Sequence, residues 1–78
     1  MNPHGLLLLS TEHCSLCEQA LDLLASMPEL RGRSLAVVDV AEDPALLERY
    51  GARLPVLRLG SREIDWPFRR EDVAGLLT

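Results

Sequence analysis

The sequence predicts an α/β fold whose elements follow the order β-α-β-α-β-β-α. Two short apolar runs, Gly5 to Leu9 and Leu35 to Val40, are separated by a segment with helical periodicity. A strand, a helix and a second strand in this order form a right-handed crossover, which makes the two strands parallel. The second half of the chain changes to short runs around Gly60-Ser61, which is typical of an antiparallel hairpin. We therefore expect a four-stranded mixed sheet with helices on both faces.

The first strand and the first helix follow from apolar patterning. Gly5 to Leu9 is a continuous apolar run that ends at Ser10-Thr11, as expected of a strand buried on both faces. A helix is predicted over Leu16 to Met27. Within it, the apolar residues from Cys17 to Leu24 recur at the i, i+3, i+4, i+7 spacing of one helix face. Pro28 then ends the helix, because proline cannot continue it.

The second strand and the second helix have clear local signals. Leu35 to Val40 is rich in β-branched residues and predicts a second buried strand. Asp43-Pro44 predicts a helix start, because the Asp43 carboxylate can accept from free backbone N–H groups and Pro44 suits the first helical position. The helix continues over Ala45 to Tyr50. Gly51 is expected to end it in a left-handed conformation.

The last three elements are a hairpin and a helix. Val56 to Leu59 and Arg62 to Ile64 predict two short strands, joined by Gly60-Ser61. A two-residue loop with glycine first suits a type II′ turn. After Trp66-Pro67, a final helix is predicted over about Arg69 to Leu77, with acidic residues in its first turn, where they favour the helix dipole.

Length and charge exclude several classes of function. The 78 residues predict a single domain over residues 1–78. The net charge is −4 and the eight basic residues are all arginine, without a basic run. This composition argues against nucleic acid or an anionic membrane surface as a partner. The longest apolar run, Leu6 to Leu9, is too short to cross a bilayer or to form a signal peptide. We expect a cytoplasmic monomer.

The motif that carries chemistry is Cys14-Ser15-Leu16-Cys17, at the junction of the first strand and the first helix. Two cysteines three residues apart at a helix start can reach disulfide geometry. The free N–H groups and the dipole of this helix end stabilise a thiolate at Cys14. Cys17 lies one turn later on the apolar face and should be more buried. This predicts Cys14 as the attacking thiol and Cys17 as the resolving thiol.

A second feature is Leu54-Pro55, directly before the third strand. The peptide bond before a proline can be cis, although trans is the default. Proline at the start of an edge-facing segment leaves the Leu54 backbone free. A bound peptide or thiol substrate could then pair with Leu54 as an added strand.

With these motifs in this order, the chain resembles the glutaredoxins and compact thioredoxin-fold domains over nearly its whole length. It is most similar to the short bacterial glutaredoxin-like proteins. The resemblance implies a thioredoxin-like fold with the strand order second, first, third, fourth. It also implies that Cys14 is the nucleophile, Cys17 the resolving cysteine and Pro55 the cis-proline. Ser15-Leu16 stand where glutaredoxins commonly have Pro-Tyr, and Arg53-Leu54 stand where they have Thr-Val.

Four further residues are candidates for modulating the dithiol or binding substrate. His13 precedes the nucleophile, where it could stabilise a thiolate as a cation or take the Cys17 proton as a base, or be a solvent-exposed loop residue. Ser15 could donate a hydrogen bond to the thiolate or assist the helix start. Arg53 could hold a carboxylate of a bound thiol ligand or be a solvated surface residue. Trp66 could flank a substrate groove or pack in the core.

The predicted function is that of a thiol–disulfide oxidoreductase that acts on protein or low-molecular-weight disulfides. No bound cofactor or metal is expected, and glutathione or a reductase would restore the dithiol. Two alternatives use the same residues. One is a metal or iron–sulfur site formed by the cysteines with His13, His4 or a second chain. The other is a thioredoxin-fold binding module that keeps both cysteines without turnover.

Overall fold

A computed structural model describes residues Gly5–Thr78 of the chain. Four strands and three α-helices alternate in the predicted order, with two short 3-10 helices at Pro28–Leu30 and Val40–Glu42. The strands and helices are β1 (Leu6–Ser10), α1 (Ser15–Ala25), β2 (Leu35–Asp39), α2 (Pro44–Tyr50), β3 (Val56–Leu59), β4 (Arg62–Asp65) and α3 (Arg70–Leu77).

The strands form one mixed sheet in the order β2-β1-β3-β4. β1 runs parallel to β2, while β3 lies antiparallel to both β1 and β4. The thioredoxin-like fold class, the strand order and the parallel crossover are thereby confirmed. β1 is central because its five residues are almost entirely apolar, and a strand flanked on both sides has no polar edge to solvate.

Helices cover both faces of the sheet, as predicted. The larger core cluster lies between the sheet and the helices α1 and α3; its members are Leu6, Leu8, Ala20, Leu24, Met27, Leu57, Phe68, Val73 and Leu76. The smaller core cluster lies on the opposite face, where Tyr50 at the end of α2 packs with Leu9, Val40 and Val56. Alternation along β1 sends neighbouring leucines to opposite faces, so one strand supplies both clusters.

The prediction that Leu35 to Val40 forms a second buried strand was wrong. β2 is an edge strand, Ala36 and Val37 on it are exposed, and only Val40 beyond its end is fully buried. Its apolar composition suits a central strand, but strand order leaves β2 paired on one side only within residues 5–78. Asp39 at its end is a helix cap, since its carboxylate accepts a hydrogen bond from the Ala41 N–H at 2.9 Å.

The two glycine predictions had different outcomes. Gly60 has φ 61°, and Ser61 after it is not in the left-handed region, which confirms the type II′ turn between Leu59 and Arg62. The left-handed conformation expected for Gly51 was wrong: its φ is −55°, in the right-handed helical region. Glycine is needed there for space instead: an added Cβ would lie 2.5 Å from the Leu47 carbonyl oxygen.

Helix boundaries agree closely with the patterns that predicted them. α1 ends at Ala25, two residues before the expected Met27, and Pro28 starts a 3-10 helix rather than ending α1 directly. Asp43 caps α2 as predicted, accepting a hydrogen bond from the Ala45 N–H at 3.0 Å. No helix in the described part of the chain is long and apolar enough to cross a membrane.

Candidate active site

Cys14 and Cys17 form a disulfide at the start of α1, with their Cα atoms 5.2 Å apart. Cys14 is the N-cap residue of the helix, with an extended backbone, and Ser15 is the first helical residue. The Cys14 sulfur accepts a hydrogen bond from the Cys17 backbone N–H at 3.2 Å. A sulfur in the N-cap position therefore takes the place that a serine or aspartate oxygen usually has at a helix start.

The two cysteines differ in accessibility. Cys14 is half-buried, while Cys17 is only 4% exposed, on the face of α1 that packs against the sheet. Helical geometry explains the difference, because a residue one turn into α1 is rotated towards the core. A substrate in solution can therefore reach the Cys14 sulfur more readily than the Cys17 sulfur.

A groove runs beside the disulfide and on towards β2. A cavity of about 170 Å³ is lined by Leu8, Ser10, Thr11, Glu12, His13, Cys14, Cys17, Glu18, Leu21 and Val37. A neighbouring cavity of about 210 Å³ shares four of these residues with it and adds Asp39. Since the two cavities have common walls, we treat them together as the active-site groove.

Leu54 and Pro55 lie at the same end of the sheet as the disulfide. The register pairs Val56 with Leu9, so the residues before Val56 lie beside the chain that leads from β1 to Cys14. The Leu54–Pro55 peptide bond is cis. The Pro55 carbonyl accepts from the Trp66 N–H at 3.1 Å, whereas the Leu54 backbone makes no hydrogen bond to another residue within 5–78.

Comparison with known proteins agrees with this geometry. The model of a family described as "Glutaredoxin-like domain (DUF836)" matches residues 5–78. The chain belongs to this glutaredoxin-like family. It is also similar to a solved structure, the X-ray structure of Northeast Structural Genomics target protein XcR50 from X. campestris. The two are 39% identical, over 94% of this chain and 95% of the other, with a TM-score of 0.77. No curated protein matches the chain.

Arg53 of this glutaredoxin-like chain forms ion pairs with two carboxylates. Its Nη2 lies 2.8 Å from both Glu63 Oε1 and Asp65 Oδ1, and its Nε donates to Asp65 Oδ2 at 3.1 Å. Hydrogen bonds to Asp65 and then Glu63 raise the pKa of Arg53 above its usual value. The sequence left two roles open for Arg53, holding a carboxylate of a bound ligand or lying solvated at the surface. In the structure, Arg53 already binds carboxylates of the chain itself.

Trp66 packs against the larger core cluster and does not line the active-site groove. It is half-buried, lies against the larger core cluster, and makes an edge-to-face contact with Phe68 at 5.1 Å between ring centroids. Of the two roles considered for Trp66, the structure supports core packing. The peptide bond from Trp66 to Pro67 is also cis, which the sequence did not indicate.

His13 and Ser15 flank Cys14 and are both exposed. His13 lines the groove and has φ 56°, in the left-handed region. Ser15 lies at the first position of α1, and its hydroxyl makes no hydrogen bond to another residue within 5–78. Neither side chain is therefore bonded to the disulfide.

Two groove residues were missed by the sequence patterns. Leu21 was assigned to the buried face of α1, and Val37 to a buried strand, yet they are 39% and 53% exposed. The exposure follows from the position of β2 at the sheet edge, where α1 covers it incompletely. The composition of β2 does not distinguish it from β1 in burial; only the strand order implied by the glutaredoxin resemblance places β2 at the edge.

The described part of the chain holds no group of three His, Cys, Asp or Glu residues arranged to bind a metal ion. His4, which the metal alternative invoked, lies outside the described residues. A metal site on Cys14 and Cys17 would therefore need ligands from elsewhere, such as a second chain.

Proposed function

We propose that this glutaredoxin-like domain is a thiol–disulfide oxidoreductase, with Cys14 as nucleophile and Cys17 as resolving thiol. The observation that carries the proposal is the disulfide at a helix N-terminus, with one accessible and one buried sulfur. The family match and the disulfide geometry fit a thiol-redox role.

The helix start supports Cys14 as the reactive thiol. The Cys17 N–H already points at the Cys14 sulfur, and an N–H donor of this kind stabilises a thiolate more than a neutral thiol. The positive end of the α1 dipole acts in the same direction. Cys17 is buried and lies one turn away, within reach of Cys14 but poorly placed for a first attack on an external disulfide.

The exchange proceeds in two balanced steps. The Cys14 thiolate attacks one sulfur of a substrate disulfide; the substrate S–S bond breaks, and the leaving thiolate takes up a proton. Cys17, deprotonated, then attacks the Cys14 sulfur of the mixed disulfide and releases the second substrate thiol. The substrate gains two electrons, and the Cys14–Cys17 disulfide forms. A thiol reductant, either glutathione or a reductase, returns the pair to the dithiol.

Several features of this proposal come from the sequence and remain predictions. The substrates are protein or low-molecular-weight disulfides, no bound cofactor takes part, and the domain acts as a cytoplasmic monomer. The unpaired Leu54 backbone beside Pro55 is available to hold an extended substrate chain. Protein that retains a metal ion on its cysteines after anaerobic purification would contradict the proposal.

The test replaces each cysteine in turn. Cys14→Ser should abolish exchange with a small disulfide, because it removes the nucleophile. Cys17→Ser should react once and stop as a mixed disulfide on Cys14, because nothing resolves it. Since the chain has only these two cysteines, mass spectrometry of the intact protein assigns the adduct without digestion. Undiminished activity of Cys14→Ser would overturn the proposal, and a stable adduct on Cys14→Ser instead would reverse the two roles.

A further inference from the structure

The charged side chains of the active-site groove are acidic. Glu12 and Glu18 line the cavity at the disulfide, and Asp39 lines the adjoining cavity. Within residues 5–78, neither cavity is lined by an arginine, and His13 is the one lining residue that can carry a positive charge. Among its side chains the groove therefore presents mainly negative charge to an approaching substrate.

The arginine nearest to Pro55 along the chain is already paired with carboxylates. Arg53, two residues before Pro55, pairs with both Glu63 and Asp65. A ligand carboxylate would have to displace one of the carboxylates that Arg53 already binds.

The walls of the groove are apolar next to these carboxylates. Val37 is 53% exposed and Leu21 is 39% exposed, and both line the cavity beside Cys14 and Cys17. Apolar side chains that remain exposed beside a reactive group can bury a side chain of the substrate. The groove thus combines negative charge with an apolar surface at one place.

We infer that the groove selects disulfides flanked by positive charge and by an apolar side chain, such as a basic segment of a protein, and discriminates against anionic disulfides such as oxidised glutathione. This inference rests on the proposed function and names its substrate class. Glu12 and Glu18 determine the charge preference, and Val37 contributes the apolar preference. Clefts lined by one sign of charge raise the local concentration and association rate of oppositely charged ligands.

The experiment measures the second-order rate constants of the reduced protein with three disulfides under single-turnover conditions. The probes are cystamine, hydroxyethyl disulfide and dithiodipropionate, which carry two positive charges, none and two negative charges. Each rate constant is divided by the rate constant of dithiothreitol with the same disulfide. This division corrects for the intrinsic reactivity of the probe and for its electrostatic interaction with any attacking thiolate. At low salt, the normalised ratio of cystamine to dithiodipropionate should be about tenfold or more and should fall towards one at high salt.

Variants assign the preference to the groove. Glu12→Gln with Glu18→Gln should reduce the cationic-to-anionic ratio by roughly threefold to tenfold. The ratio is the chosen readout because a change in the Cys14 pKa alters both rate constants alike. Glu29→Gln with Glu48→Gln is the matched control: both residues are exposed outside the groove, the net charge changes equally, and the ratio should stay near the wild-type value.

The apolar preference is tested with disulfide-linked dimers of two tripeptides. Both have lysine after the cysteine, and one has leucine while the other has serine before it. The leucine peptide should react faster with the wild type, and Val37→Ser should reduce the difference. Leu47→Ser, at a residue 48% exposed on α2, should leave it unchanged.

The outcomes separate the inference from the function on which it rests. No exchange with any probe, or equal exchange after Cys14→Ser, would reject the oxidoreductase itself. The charge preference alone would be rejected if exchange occurs with a normalised ratio near one or is faster with the anionic disulfide. It would also be rejected if the Glu29 and Glu48 control changes the ratio as much as the Glu12 and Glu18 variant does. Equal rates for the leucine and serine peptides would reject the apolar preference.

Discussion

His13 occupies the left-handed region, with φ 56°, directly before the N-cap cysteine. A side chain with a Cβ costs about 1–2 kcal/mol in this conformation, although histidine tolerates it better than most residues. The turn at residues 12 and 13 carries the chain from the end of β1 into α1. The direction in which Cys14 enters the helix therefore depends on one unfavourable backbone conformation.

We expect His13→Gly to be more stable than His13→Ala by about 1 kcal/mol, because glycine adopts positive φ without a Cβ clash. Urea denaturation of the two oxidised variants measures the difference. The same pair of substitutions at Glu12, where φ is not in the left-handed region, should show the reverse order. If alanine is the more stable residue at both positions, the left-handed conformation of His13 is contradicted.

The residues of the site differ in how far the sequence could predict them. Cys14 and Cys17 were placed correctly because a helix start and its spacing are local features. The partners of Arg53 were missed because Glu63 and Asp65 follow it by 10 and 12 residues. Only the register of the β3–β4 hairpin and the path of the chain before Pro55 bring these groups together, and a local pattern contains neither.

At the scale of elements, α3 depends on a residue from outside it. The helix has no basic side chain in its last turn. The Arg62 guanidinium, from the start of β4, donates to the carbonyls of Gly75, Leu76 and Thr78 at 3.0–3.2 Å. The Gly75 carbonyl also accepts from the Thr78 N–H at 3.4 Å and from the Thr78 hydroxyl at 3.0 Å. Arg62 adds donors to the last carbonyls of the helix and complements the negative end of the dipole.

Arg62→Met should lower the free energy of unfolding by about 1 kcal/mol, because it removes the donors but keeps the apolar stem of the side chain. Amide exchange should accelerate most in the last turn of α3. Arg62→Lys should recover part of the loss through its single ammonium group. Arg31→Met is the control, since Arg31 is exposed and its side chain makes no ion pair within residues 5–78. An equal loss in this control would show that Arg62 acts only through net charge.

Local patterns predicted the elements, whereas the composition of β2 did not predict its exposure. Amphipathic spacing located α1 and α3, and Asp43-Pro44 located the start of α2, because these signals act within a few residues. Composition could not show that β2 is an edge strand. A run such as Leu35 to Val38 is equally suitable for the centre of a sheet, and only the strand order decides its exposure.

At the scale of the whole molecule, one polar cluster joins three separate parts of the chain. Arg53 precedes Pro55, Glu63 and Asp65 lie on β4, and the Tyr50 hydroxyl at the end of α2 donates to Glu63 Oε2 at 3.0 Å. Hydrogen bonds from Arg53 hold the pKa values of Glu63 and Asp65 below their usual values, against the opposing effect of burial. The cluster thus ties the Pro55 segment of the site to the sheet edge and to α2.

This cluster makes stability depend on acid in a predictable direction. A carboxyl whose pKa is lower in the folded state binds fewer protons there, so its contribution is complete above the unfolded value and is lost as the pH falls through the folded value. The usual pKa values are 4.5 for Glu63 and 3.8 for Asp65. The contribution of these two carboxyls to the free energy of unfolding should therefore be constant above about pH 5.5 and fall below about pH 4.5. Arg53→Gln should flatten that acid slope in urea titrations, because it returns both pKa values towards normal. Arg31→Gln removes the same charge away from the cluster and should retain the wild-type slope. Equal slopes for the wild type and Arg53→Gln would contradict the effect of Arg53 on the pKa values of Glu63 and Asp65.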